Sequence, residues 1–182
     1  MLTLTIEKTE MWNELTQKFV DIPGATIQLE HSLVSISKWE SRWKKPFIST
    51  TSKSREETLD YIRCMTITQH VDQVIYNAIT DAQIVDVNQY IDDPMSAKTF
   101  PKKEGKGRVY RDTVSEDIYY LMIAYNIPWE CRKWHFNRLM ALIKTCEENN
   151  DTKNGKKKNR REYADYRRKL NSARKAKYGT KG

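Results

Sequence analysis

His31, His70 and His135 are the three side chains best suited to bind a metal or move a proton near neutral pH. Their spacing supports neither role. None opens an H-E-x-x-H pair, and Glu130 and His135, five residues apart, do not share a helix face. Asp92-Asp93 stands directly before Pro94. Two adjacent acids at a helix end satisfy backbone amides or solvent; they lack the fixed geometry of catalytic carboxylates or a magnesium site. Cys64, Cys131 and Cys146 are odd in number and far apart, with no C-x-x-C pair, and are expected as free thiols in a reducing compartment. There is no G-x-S-x-G elbow, and Lys103-Glu104-Gly105-Lys106-Gly107 lacks the P-loop frame. These patterns predict a non-enzyme with no catalytic, cofactor-binding or metal-binding residues.

The aromatic residues point to contact rather than reaction. Trp39 and Trp43 lie one helical turn apart, as Trp129 and Trp134 roughly do. Indoles at that spacing are first of all core, each burying about 150–250 Å². The alternative is an exposed interface, where Trp, Tyr and Arg are enriched. Tyr119, Tyr120 and Tyr125 are spread around one helix, so some must lie outside a monomer core. These seven residues are the candidate protein-interaction surface.

Charge divides the chain. Of 32 basic and 24 acidic side chains, 13 basic and 3 acidic fall in residues 151–182, a net +10; residues 1–150 carry a net −2. The basic run includes Lys156, Lys157, Lys158, Arg160, Arg161, Arg167, Arg168, Arg174 and Lys175. Tyr163, Tyr166, Leu170 and Ala173 mark a thin apolar stripe through it, so a helix can form there but is only partly held to the body. Such a tail suits nucleic acid phosphates, an acidic protein surface or another copy of the chain. The 38% hydrophobic content supports a packed domain. A mean hydropathy of −0.79, with no long apolar run and no basic-apolar start, predicts a soluble protein without signal peptide or membrane span.

The elements that must position these residues follow from periodicity. Leu2, Leu4 and Ile6 alternate with polar residues, and Thr26-Ile27-Gln28-Leu29-Glu30 alternates again after Pro23-Gly24. This predicts a hairpin region over 1–31 with a type II turn at Pro23-Gly24. Helices are expected from Ser35 or Ser37 to Pro46, from the capping box at Ser54-Glu57, from about Asp72, and from Asp81 to Asp92. Two more are expected, one from a box at Thr113-Glu116 and one running unbroken from Trp129 to about Asn149. Residues 94–112 are expected as a solvated loop. The expected fold is α+β, mostly α: a small N-terminal antiparallel sheet on a five- to six-helix body (1–150), followed by a basic linker and helical tail (151–182).

The run Leu29-Glu30-His31-Ser32-Leu33-Val34-Ser35-Ile36-Ser37-Lys38-Trp39-Glu40 resembles a family of small proteins from the tail modules of tailed bacteriophages. The resemblance continues in Thr58-Leu59-Asp60-Tyr61-Ile62-Arg63-Cys64-Met65, Tyr90-Ile91-Asp92-Asp93-Pro94-Met95 and Asn126-Ile127-Pro128-Trp129-Glu130-Cys131-Arg132-Lys133-Trp134-His135. It ends with Leu170-Asn171-Ser172-Ala173-Arg174-Lys175-Ala176-Lys177-Tyr178-Gly179-Thr180 and so covers nearly the whole chain. It implies similarity to tail assembly chaperones: a late protein in the host cytoplasm that binds the tape-measure protein or another tail protein during virion morphogenesis. It implies no cofactor and no catalytic residue. A structural place in the tail or head–tail region of the virion, self-association, and a nucleic-acid-binding role for the basic tail remain alternatives.

Overall fold

The computed structural model describes residues 1–13, 17–50, 52–98 and 113–153, together with Arg168. The chain divides into two units, Met1–Ile143 and Lys144–Gly182. The first holds all the described strands. Of the basic tail, Arg168 is exposed with helical backbone; Lys156, Lys157, Lys158, Arg160, Arg161, Arg167, Arg174 and Lys175 lie outside the described residues.

Strand β1 (Leu2–Ile6) pairs antiparallel with β4 (Ala25–Leu29), and β2 (Thr9–Asn13) with β3 (Lys18–Ile22). One register runs through both pairs, with Ile6 opposite Ala25 and Thr9 opposite Ile22, so the four strands are successive stretches of a single long ribbon. The ladder breaks where Glu7-Lys8 faces Pro23-Gly24. Pro23 has no N–H to donate. A Cβ on Gly24 would stand 3.1 Å from the Lys8 nitrogen and 3.3 Å from the Ile6 oxygen, so a side chain there would force the facing backbone back by a few tenths of an ångström. The turn expected at Pro23-Gly24 is therefore corrected: that dipeptide interrupts a ladder, and the chain reverses between Asn13 and Lys18. The alternating apolar residues decide this, because pairing Leu4 with Ile27 and Leu2 with Leu29 puts them on one buried face.

That face packs on helices, giving the α+β arrangement of a small antiparallel sheet against a mostly helical body. The free edge of β4 is covered locally: Glu30 N–H donates to Met65 O at 3.0 Å and Ile67 N–H to Gln28 O at 2.8 Å. Helix α1 (Leu33–Trp43) is capped by Ser32, not by Ser35 or Ser37; Ser35 is instead the reciprocal partner in the box, its Oγ accepting from Ser32 N–H at 2.9 Å. Lys44, left-handed at φ 55°, ends α1 before Pro46. Helix α2 (Arg55–Met65) starts at the expected Ser54-Glu57 box. The helix expected from Asp72 is a short 3-10 helix (Gln73–Ala78), and α3 (Asp81–Asp92) follows, capped by Thr80.

Two further expectations are corrected in the C-terminal half of this unit. Helix α4 (Ser115–Ala124) does not use a Thr113-Glu116 box; Val114 N–H donates to Asp117 Oδ2 at 3.2 Å, and Thr113 N–H to Ser49 Oγ at 3.2 Å. The continuous helix expected from Trp129 is broken. A 3-10 helix (Trp129–Lys133) stops at Trp134-His135, and α5 (Phe136–Lys153) begins afresh. The cause is long-range: Phe136 N–H donates to His31 O at 2.7 Å, which withdraws it from any helical partner and pairs Ser32 with His135 as an isolated bridge. No helix among the described residues is long and apolar enough to cross a membrane.

Leu33, Ile36 and Trp39 of α1, Tyr61, Ile62 and Met65 of α2, Ile118 and Met122 of α4 and Leu139 of α5 are buried. One acid shares α1's buried face. Glu40 accepts from Phe47 N–H at 2.8 Å through Oε1 and from Ser115 N–H at 2.9 Å through Oε2. It satisfies an otherwise orphaned amide in the first turn of α4 and ties that helix to α1. Glu40→Gln keeps one acceptor and turns an NH₂ against the other amide. The expected loss of unfolding free energy in urea is about 2–3 kcal/mol; a loss below about 0.5 kcal/mol, the range of a neutral surface change, would contradict this role.

Candidate functional site

Behind α1 and α2 lies a buried polar cluster built around His31. Its ring meets Tyr61, His135, Phe47 and Phe136, with centroids 5.1–6.2 Å away. Tyr61 Oη is 2.5 Å from His31 Nδ1, and burial pushes the phenol's pKa upward, so the O–H is retained and donates to the ring nitrogen. Ser35 Oγ donates to Ser32 O at 2.7 Å. His135 Nδ1 accepts from Asn137 N–H at 3.3 Å, and the Nε2 proton goes to Tyr90 O at 3.0 Å, which sets its tautomer. The side chains that resemble catalytic parts thus have structural partners. No group of three His, Cys, Asp or Glu able to hold a metal occurs among the described residues.

Two other buried acids join α1 to α2. Glu57 accepts from Lys45 Nζ at 2.6 Å and Ser54 N–H at 2.8 Å, and these bonds, the Lys45 one foremost, hold its carboxyl below the usual range. Asp60 accepts from Arg42 and from Trp43 Nε1 at 2.9 Å, with Arg63 at 3.6 Å. Trp39 is fully buried and donates Nε1–H to Glu57 O at 2.9 Å, so it serves the core; Trp43, half-buried, stacks on it at 6.2 Å.

The remaining predicted aromatic residues behave differently. Tyr120, at 70% exposed, and Ile123, at 67%, project from the outer face of α4. Together they form an exposed apolar patch on a helix whose opposite face is buried. Trp129 is 48% exposed, lies 5.2 Å from the half-buried Tyr119 ring, and carries the Arg132 guanidinium at 4.8 Å. Trp134 is exposed and carries Arg138 at 4.5 Å. Tyr125 is half-buried in the turn that closes α4. The structure therefore separates the seven candidates: Trp39 and Trp43 sit in the α1–α2 layer, Tyr120, Trp129 and Trp134 are exposed on α4 and the segment after it, and Tyr119 and Tyr125 are half-buried beside them. Arg132 Nη1 is enclosed with no hydrogen-bond partner among the described residues.

Sequence reasoning missed Ile123, Arg132 and Arg138. The arginines follow the two exposed tryptophans by three and four residues, a helical spacing that places a cation over a ring and was available to be read. No family model, curated protein or solved structure matches the chain.

Burial foremost, then the nearby His135 and Lys53, lowers the His31 pKa from 6.5 to about 3. Between those values the unfolded chain takes up a proton that the folded chain refuses, so stability falls as pH drops below about 6.5 and the contribution is spent by about pH 3. Urea unfolding at pH 7, 5.5 and 4 is expected to show a stability gap between the native protein and His31→Gln that narrows as pH falls. A gap independent of pH would contradict a buried neutral imidazole.

Proposed function

We propose that this chain is a non-catalytic assembly factor that binds a bacteriophage tail protein, the tape-measure protein foremost, during morphogenesis in the host cytoplasm. The observation that carries the reading is the pair of exposed indoles, Trp129 and Trp134, each under an arginine guanidinium, with Trp129 against Tyr119 of α4. Trp, Tyr and Arg are enriched in interface hot spots: the two aromatic side chains bury large area at low entropy cost, and the guanidinium makes directed bonds. A long amphipathic client helix would cover Tyr120 and Ile123 with its apolar side. The resemblance of nearly the whole chain to tail-module proteins names the client class. The basic run after Asn150 acts in this reading as a cationic extension making a second, salt-dependent contact.

The test is co-purification of the full chain with the tape-measure protein of the same phage, followed by protein composition of finished particles. The chain is expected in the complex and absent from particles. Trp129→Ala with Trp134→Ala is expected to weaken the complex at least about tenfold, the cost of losing hot-spot indoles, with far-UV circular dichroism unchanged. Unaltered affinity in the double variant would overturn the docking face, and stoichiometric presence in particles would make the protein a structural part.

A further inference from the structure

On α1 and α2 the chain forms an open cleft of about 490 Å³ lined by Lys38, Ser41 and Arg42 from the first helix and Arg63 and Cys64 from the second. Three cations meet there, and the neighbouring carboxylate, Asp60, is already engaged by Arg42, Trp43 and Arg63. One negative charge against three positive leaves an excess of two. Arg63 lies against the Tyr76 ring at 5.2 Å, and its Nε–H is enclosed without an acceptor among the described residues. Burial foremost, and Asp60 next, raise the Cys64 thiol's pKa, so the cleft presents a neutral S–H rather than a competing thiolate.

We propose that this cleft binds an acidic segment of a partner protein, whose carboxylates bridge Lys38, Arg42 and Arg63. The anion-binding groups of the cleft are side chains only. Ser41 and Arg42 lie in the last turn of α1, and Arg63 and Cys64 in the last turn of α2. Helix C-termini carry partial negative charge and offer carbonyls rather than free N–H groups, so no backbone cradle exists for a compact dianion. Long cationic side chains reaching outward suit separate monoanions on a flexible chain. Three lining cations are also fewer than the track that holds a nucleic acid strand. The cleft is independent of the aromatic face and of the reading built on it.

The experiment uses the full chain, isotopically labelled, with hexaglutamate as probe at about 20 mM ionic strength, where exposed charges are weakly screened. Because the cationic run after Asn150 also attracts this peptide, the readouts are residue-specific: amide shifts at 38–42 and 63–64, and the iodoacetamide alkylation rate of Cys64 measured by peptide mass. Hexaglutamate is expected to shift these amides and slow alkylation severalfold. Lys38→Glu, a change at an exposed position, is expected to weaken the effect about tenfold, as replacing attraction with repulsion at short range would. Ser41→Glu, also exposed, is expected to act the same way. Trp129→Ala is expected to leave the titration unchanged, which keeps failure here distinct from failure of the docking face. The proposal is overturned if the amides do not shift, or if both charge variants respond like the native chain. It is equally overturned if inorganic phosphate or a duplex oligonucleotide gives the same protection of Cys64 at a lower concentration.

Discussion

The carboxylate of Glu40 holds the arrangement of the first unit together. It accepts one amide from the turn after α1 and another from the first residue of α4, elements far apart in the sequence. Ser115 is fully buried, so its N–H has no water to turn to. A helix start that would otherwise leave a donor unpaired is thereby fixed against α1, with Thr113 N–H on Ser49 Oγ as a second tie. The direction of α4, and with it the exposure of Tyr120 and Ile123, depends on this contact.

Glu40 belongs to a wider pattern. The buried faces of α1 and α2 carry Glu40, Glu57 and Asp60 alongside Trp39, Tyr61 and Ile62. Each acid is matched by donors: two amides for Glu40, Lys45 and Ser54 for Glu57, and Arg42, Trp43 and Arg63 for Asp60. Buried carboxylates are tolerated only under such matching, because an unpaired one costs several kcal/mol, of order 3–5. The consequence is directional. Hydrocarbon packing alone would let α2 slide along α1, whereas these bonds select one register. The same arginines that satisfy Asp60 then line the open cleft on the other side.

The second determinant is the crossing of His31 and Phe136. That hydrogen bond ends the 3-10 helix at Lys133, turns His135 inward against His31, and starts α5 in a new direction. Asn137, brought in by the same crossing, donates to Ile91 O at 2.9 Å and Asp93 O at 2.7 Å and so caps the end of α3. Had the helix continued from Trp129, Trp129 and Trp134 would share a single helical element. The break instead leaves both indoles exposed, Trp129 opening the 3-10 helix and Trp134 ending it, each with its own arginine.

Much of this was legible in the residues alone. Alternation in Leu2-Leu4-Ile6 and Ile27-Leu29 specified strands, the Ser54-Glu57 box placed α2, and the helical spacing of apolar residues placed α1 and α3, because these signals are local and each residue's neighbours along the chain carry them. The excess of tyrosines at Tyr119, Tyr120 and Tyr125 likewise announced a surface, whereas the indole of Trp129, at core-like spacing, is exposed. What stayed hidden depended on partners distant in sequence. Pro23-Gly24 has the composition of a turn, yet cross-strand burial of Leu4 on Ile27 made it a gap in a ladder. Trp129–Asn149 has the period of one helix, yet a carbonyl at His31 took the amide that helix needed. Glu40, Glu57 and Asp60 look like solvated charges by type, and only the tertiary structure, by bringing amides, lysine and arginines to meet them, made them interior. Local propensity determines which elements form; long-range hydrogen bonds to buried groups decide where those elements stop and which faces remain free.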